Sequence, residues 1–242
     1  MKHIVLTLFM IPLFFSSETI DTYPPVIVLE LFTSQGCSSC PPADELLTQI
    51  QNRDSDTPVI AMSYHVDYWN YIGWKDPFSK EVFSNKQRLY SQKFNSSSIY
   101  TPQIVINGKA HFVGSNSREM DVKLKQHAKI SAENKIEIAN LDKNGNEVRF
   151  DYNVMGRISN KLLRTVLVVE ERITKIPRGE NRNRTLKNSN IVVAEDISEL
   201  QNSKGHQSIA IPNIVNDKDE LKLIFVIQNS DLDIVGANQV KL

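Results

Sequence analysis

Val26-Ile27-Val28-Leu29-Glu30-Leu31-Phe32-Thr33-Ser34-Gln35-Gly36-Cys37-Ser38-Ser39-Cys40 is the stretch on which the reading of this chain turns. Its first seven residues, introduced by Pro24-Pro25, are apolar but for one glutamate, the pattern of a strand buried on both faces of a sheet. Thr33 to Gly36 then turns the chain, and Ala43 to Ile50 carries leucines and isoleucine at helical spacing. The cysteines, two in 242 residues, therefore fall where a strand hands over to a helix. At that position free backbone N–H groups and the positive end of the helix dipole favour thiolate over thiol at Cys37. Cys40 follows one turn on, where it can close a small ring by attacking a mixed disulfide. A bridge between residues so close in sequence removes little entropy from the unfolded chain, so the spacing favours redox chemistry over stapling, a static bridge or inert thiols being the competing reading. Pro41 and Pro42 lack an N–H, which only a first helical turn tolerates. The helix thus starts near Cys37 with a kink, or starts later.

Working outward, Met1 to about Ser17 has the positive start and apolar run of a secretory signal, an uncleaved anchor being the alternative. Beyond it no stretch is apolar and long enough to span a bilayer as a helix, so a periplasmic or secreted protein, with no membrane contact after signal removal, is expected. On the other side of the cysteines, Thr57 to Tyr64 reads as a second strand, ending in His65-Val66-Asp67-Tyr68-Trp69 and then Gly73-Trp74. If parallel to the first strand, it delivers this aromatic loop to the end of the sheet that carries the cysteines. Asp76-Pro77 reads as the N-cap and first residue of a helix with Phe78, Val82, Phe83, Tyr90 and Phe94 on one face. Thr101-Pro102 leads into the strand Gln103 to Ile106, Asn107-Gly108 is a hairpin turn, Lys109 to Val113 returns, and Arg118 to Lys129 is a last helix. From Ser131 the pattern becomes short strands: Lys135 to Leu141, Glu147 to Val154, Leu162 to Arg172, Ile191 to Ala194, Gln207 to Ile211 and Leu221 to Gln228. Pro177 to Asn190, polar and rich in Arg and Asn, reads as a long loop.

Lysine plus arginine balances aspartate plus glutamate at 28 each, which gives no basic surface for nucleic acid. Two cysteines supply neither a disulfide framework nor a zinc ribbon. No cofactor motif is present.

The order strand, Cys-x-x-Cys helix, strand, helix, Thr-Pro strand, Asn-Gly turn, strand, helix resembles the thioredoxin fold. The words Glu30 to Asp44, His65-Val66-Asp67-Tyr68-Trp69, Gly73-Trp74-Lys75-Asp76 and Tyr100-Thr101-Pro102-Gln103, with the later Gly179-Glu180-Asn181 and Arg184-Thr185-Leu186, resemble the exported bacterial family known as domain of unknown function 1223. The fold class that follows is an α/β thioredoxin-like domain over 24–130 and a mainly β, sandwich-like domain over 131–242.

The thioredoxin resemblance implies an exposed nucleophile at Cys37, a resolving thiol at Cys40 and a cis-proline at Pro102, beside which Thr101 pairs with an extended substrate. It also implies that Glu30 is the buried acid that takes a proton from Cys40, against a paired or solvated glutamate at a strand end. Trp69 and Trp74 form an apolar platform for a client polypeptide or pack beneath their loop. His65 either stabilises the Cys37 thiolate, joins Cys37 and Cys40 around a Cu(I) ion, or is a hydrogen-bonded structural histidine. The expected function is exchange of thiols and disulfides with protein partners, a dedicated redox protein among them. The alternative is a non-enzymatic binding module whose cysteines are idle or hold copper.

Overall fold

The computed structural model describes residues 22–242; the signal sequence expected over 1–17 lies outside them. The quoted stretch forms β1 (Ile27–Thr33), every residue of which is buried. The chain then continues through α1 (Pro41–Gln51), β2 (Val59–His65), α2 (Glu81–Lys93), the hairpin β3 (Gln103–Ile106) and β4 (Ala110–Val113), and α3 (Ser117–His127). Seven strands follow: β5 (Lys135–Asn144), β6 (Glu147–Met155), β7 (Lys161–Lys175), β8 (Thr185–Glu199), β9 (Lys204–Ala210), β10 (Leu221–Asn229) and β11 (Ile234–Lys241).

The expected division into a thioredoxin-like α/β domain and a separate sandwich is overturned by the sheet. The molecule is mostly β, with three short helices, and one mixed sheet of eight strands in the order β11-β10-β7-β8-β2-β1-β3-β4 runs through both halves of the chain. The strand that joins them is β8, which pairs along its length with β7 and meets β2 in parallel at Ser63 and Ile191. The Ser63 hydroxyl reinforces that seam by donating to the Ser189 carbonyl at 2.8 Å. A second sheet, β5-β6-β9, packs its Val148, Phe150 and Ile209 against Leu167, Val193 and Phe225 of the large one.

Alternation along β1 sets the two sides of the large sheet. Leu29 and Leu31 pack with Ala43 and Leu47 of α1, whereas Val28 and Phe32 pack with Phe83 and Tyr90 of α2. Three expectations about element ends are corrected. First, α1 begins at Pro41, with the two prolines as its first residues and Cys40 as N-cap. Second, α2 begins at Glu81 rather than at Asp76-Pro77: the Asp76 carboxylate accepts the Phe78 N–H at 3.0 Å, but the turn it caps is not continued, since Lys80 is extended. Third, residues 185–190, read as loop, are the first six of the 15 residues of β8. Among the described residues no helix is long and apolar enough to cross a membrane.

Candidate active site

At the carboxyl end of β1 the turn Ser34-Gln35-Gly36 carries Cys37 to a position three residues before the N-cap of α1. There it forms a disulfide with Cys40. Both cysteines are fully buried, so Cys37 is not the exposed sulfur that the sequence led us to expect, although Ser38 and Ser39 between them are exposed. The Cys37 sulfur accepts the Thr101 hydroxyl at 3.3 Å and lies 3.4 Å from the Ser39 hydroxyl. Thr101 in turn accepts the Trp69 indole N–H at 2.8 Å, and the Thr101–Pro102 bond is cis. Trp74 reaches the same turn by donating to the Gln35 side chain at 3.2 Å. Cys37, Cys40, Thr101, Pro102, Trp69 and Trp74 thus converge, and the indole–hydroxyl–sulfur chain runs through three of them.

What covers the disulfide comes from the other half of the chain. Asn181, fully buried, donates both hydrogens of its amide, to the carbonyls of Gln35 and Cys37, each at 2.9 Å. Arg184 holds the Asn181 oxygen at 2.8 Å, and the Glu180 carboxylate accepts the Ser38 N–H at 3.1 Å. Gly179 keeps this strap close: its backbone is in the left-handed region at φ 80°, and a Cβ there would stand 3.2 Å from the Ile72 carbonyl oxygen and from the Trp74 Cβ. Gln35 ties the halves together a second time, donating to Thr174 at 3.1 Å and Asn188 at 3.0 Å.

Beneath the cysteine turn lie three buried titratable groups: Asp44 of α1, His65 at the end of β2, and Asp76. The Asp76 carboxylate accepts the Gln35 N–H at 2.7 Å and lies 2.6 Å from the His65 Nδ1. Burial works against the Asp76 charge, but the His65 imidazolium and the Gln35 and Phe78 N–H groups outweigh it and hold its pKa below the usual carboxylate value. For His65 burial likewise pulls down, while the Asp76 and Asp44 carboxylates more than restore the proton and raise its pKa. Asp44 is different. Burial raises its pKa to about 7 against the pull of His65 and of hydrogen bonds from Thr33 and Asn188, and its Oδ1 has no hydrogen-bond partner. It follows Cys40 by four residues, and its N–H donates to the Cys40 carbonyl at 3.1 Å, so the two side chains share one helix face.

Glu30 occupies another place altogether. Its side chain lies on the α2 side of β1, where it meets the buried Arg164 at 2.6 Å and accepts the Tyr90 hydroxyl at 2.5 Å. The buried acid on the cysteine side of β1 is instead Asp44, which accepts the Thr33 hydroxyl at 3.1 Å. His65 is committed to Asp76, and among the described residues no group of three His, Cys, Asp or Glu side chains is arranged to hold a metal ion. The structure therefore does not gather Cys37, Cys40 and His65 around one copper position. Sequence reasoning missed Asp44 as a site residue, and with it Asn181 and Glu180; for Asp44 the signal was its spacing of four from Cys40.

Fold and site define a mostly β protein with a covered Cys-x-x-Cys disulfide at the seam between its two halves. The chain belongs to the family described as protein of unknown function DUF1223, whose model matches residues 28–228. A crystal structure of an Agrobacterium tumefaciens protein, a structural-genomics target, is 27% identical and matches with a TM-score of 0.66 over 89% of this chain and 94% of its own. A beta-glucosidase from Kluyveromyces marxianus matches 51% of this chain and 16% of its own at 12% identity, with a TM-score of 0.22 that is too low to bear on the fold. No curated protein matches.

Proposed function

We propose that Cys37 and Cys40 are a thiol–disulfide exchange centre of an exported protein that acts on protein thiols or disulfides. The observation that carries this reading is the position of Asp44, a buried carboxyl whose pKa burial raises to about 7, four residues after Cys40 on the same helix face. A partner thiolate attacks Cys37, the Cys37–Cys40 bond breaks, and its electron pair leaves on Cys40. Asp44 gives that sulfur a proton, so the leaving group departs as a thiol rather than as a buried anion. A second partner thiolate then displaces Cys37, which leaves the partner oxidised by two electrons and this pair reduced; with a disulfide-bearing partner the steps run in reverse. Thr101 donates to the Cys37 sulfur in the thiolate state. The strap 179–184 has to move for a partner to reach Cys37.

One observation favours a second reading, a binding module with a static bridge: both sulfurs are fully buried. The test is equilibration with glutathione and mass-spectrometric counting of free thiols, together with Cys40→Ser in cells. A reversible couple and a Cys37-linked mixed disulfide are expected. A bridge that stays closed in a reducing glutathione buffer, with no adduct on the Cys40→Ser protein, sinks the exchange reading and leaves the binding module.

A further inference from the structure

A second concavity lies on the opposite side of the sheet from the disulfide turn, between α2 and the far end of β8. It is a groove of about 330 Å³, within the range of small-molecule sites. Its rim is apolar and uncovered: Val82 and Leu89, seven residues and thus two turns apart on α2, are 60% and 51% exposed, and Ile197 of β8 is 54% exposed. Exposed apolar side chains scattered singly need no explanation, but three around one concavity form a patch.

The groove's polar end has unbalanced charge. Lys86 and Glu195 pair at 3.0 Å, and Arg164 behind them holds the same Glu195 oxygen at 2.8 Å. Burial opposes the Glu195 charge, but Lys86 and Arg164 bring its pKa down to about 2, so that carboxylate stays ionised with both cations on its Oε1. Arg164 in turn is neutralised by Glu30. Lys80, which also lines the groove, makes no ion pair among the described residues; its ammonium donates to the Val193 carbonyl and lies 5.6 Å from the Phe83 ring centre. Partial burial without a counter-charge lowers its pKa. A half-buried cation at the head of an apolar groove is complementary to one class of ligand, an apolar chain that ends in a single negative charge.

We infer that the groove between α2 and β8 binds a small amphipathic carboxylate, with its chain along Val82, Leu89 and Ile197 and its carboxylate at Lys80. The site is independent of the cysteine pair. Calorimetric titration of the full chain with sodium decanoate, decanol and decyltrimethylammonium, each below its aggregation limit, tests it. The expected result is one saturable site at which the acid binds at least about tenfold tighter than the alcohol and the ammonium. Leu89→Asp or Ile197→Asp, both at exposed positions where folding is undisturbed, weakens decanoate by at least about tenfold. Lys80→Met leaves the alcohol bound and removes the preference for the acid. No saturation, equal affinity for the three head groups, or indifference to Leu89→Asp and Ile197→Asp overturns the inference. So does a concentration-dependent dimer that Leu89→Asp dissolves in the absence of decanoate binding, which assigns the patch to a second copy of this chain.

Discussion

The two faces of β1 bury two kinds of charge. On the α2 face, Glu30, Arg164, Glu195, Lys86 and the Tyr64 and Tyr90 hydroxyls form a network in which each carboxylate meets a cation at 2.6 to 3.0 Å. Burial disfavours the Arg164 charge, yet Glu30 and Glu195 raise its pKa well above the ordinary value, so Arg164 keeps its charge in any ordinary solution. On the α1 face, Asp44, His65 and Asp76 are as deeply buried but incompletely paired: Asp44 Oδ1 and His65 Nε2 lack partners, and Asp44 titrates near neutrality. Although Arg164 Nη1 has no partner, every carboxylate on the α2 face meets a cation, whereas Asp44 has no cation of its own and keeps a proton available for transfer. The cysteines lie beside this second group.

Breaking the charge-matched network should have the largest effect. Arg164→Met strands the buried Glu30 carboxylate and leaves Glu195 with Lys86 alone, and is expected to cost about 3 to 5 kcal/mol in urea unfolding, with the thiol–disulfide equilibrium of the remaining folded protein unchanged. A loss under about 1 kcal/mol would mean that the network is not what the pairing distances imply.

The next effect has a sign that depends on pH. The folded pKa of Asp44 is raised from 3.8 to about 7, so the native state holds a proton that the unfolded chain releases, and stability falls as pH rises through that window. His65, also raised, contributes fully below its ordinary 6.5 and loses that contribution as pH rises through its folded value. Asp76, lowered, contributes above 3.8 and is lost on acidification through its folded value. Asp44→Asn should therefore gain stability over the parent at pH 8, by up to about 4 kcal/mol, and nothing at pH 4. Parallel stability curves for the two proteins between pH 4 and 8 would dissolve the contrast between the two faces.

Smaller changes probe the cover and the sulfur. Asn181→Ala leaves the Gln35 and Cys37 carbonyls without their donor, and a cost of about 1 to 3 kcal/mol is expected, together with faster reduction of the bridge by dithiothreitol. An unchanged reduction rate would remove the strap from any role in access. Thr101→Val deletes the hydroxyl donor to the Cys37 sulfur and should raise the pH at which Cys37 alkylates, a change worth about 1 kcal/mol or less. No shift in that alkylation profile would show that the hydroxyl does not favour the thiolate.

Much of the backbone was legible. The apolar run of β1, the turn at Asn107-Gly108 with both residues in the left-handed region at φ 47° and 66°, and the cores of β6, β7 and β10 follow directly from residue pattern. The start of β8 did not, because Asn188, Ser189 and Asn190 are polar and yet buried. Each is matched by a polar group of the other half: Asn188 by Gln35, Ser189 by Thr48 and Ser63, and Asn190 by Gln51. Polarity signals a loop only until a partner is known, and these partners lie about 125 to 155 residues away in sequence. The strand β11 was missed because Gly236-Ala237-Asn238-Gln239 has no apolar alternation. At the site, the Cys37–Cys40 pair, the Thr101–Pro102 step and the two tryptophans were legible from motif. The acid was placed wrongly for a reason the sequence itself contains: Glu30 and Thr33 are three apart on one strand and so face opposite sides of the sheet. Thr33 is the one that touches Asp44.

The strap bears on what a shortened chain means. Cutting after Lys129 retains both cysteines, Thr101, the tryptophans and the Asp44–His65–Asp76 group. It removes Asn181 and Glu180 from the cysteine turn, Asn188 and Thr174 from Gln35, and the strand that Ser63 leans on. Such a fragment would not be a simpler form of the centre but one whose cysteine turn has lost its outer hydrogen bonds. If the pair exchanges disulfides as proposed, the first half of the chain contributes the sulfurs and the second half holds the turn that presents them.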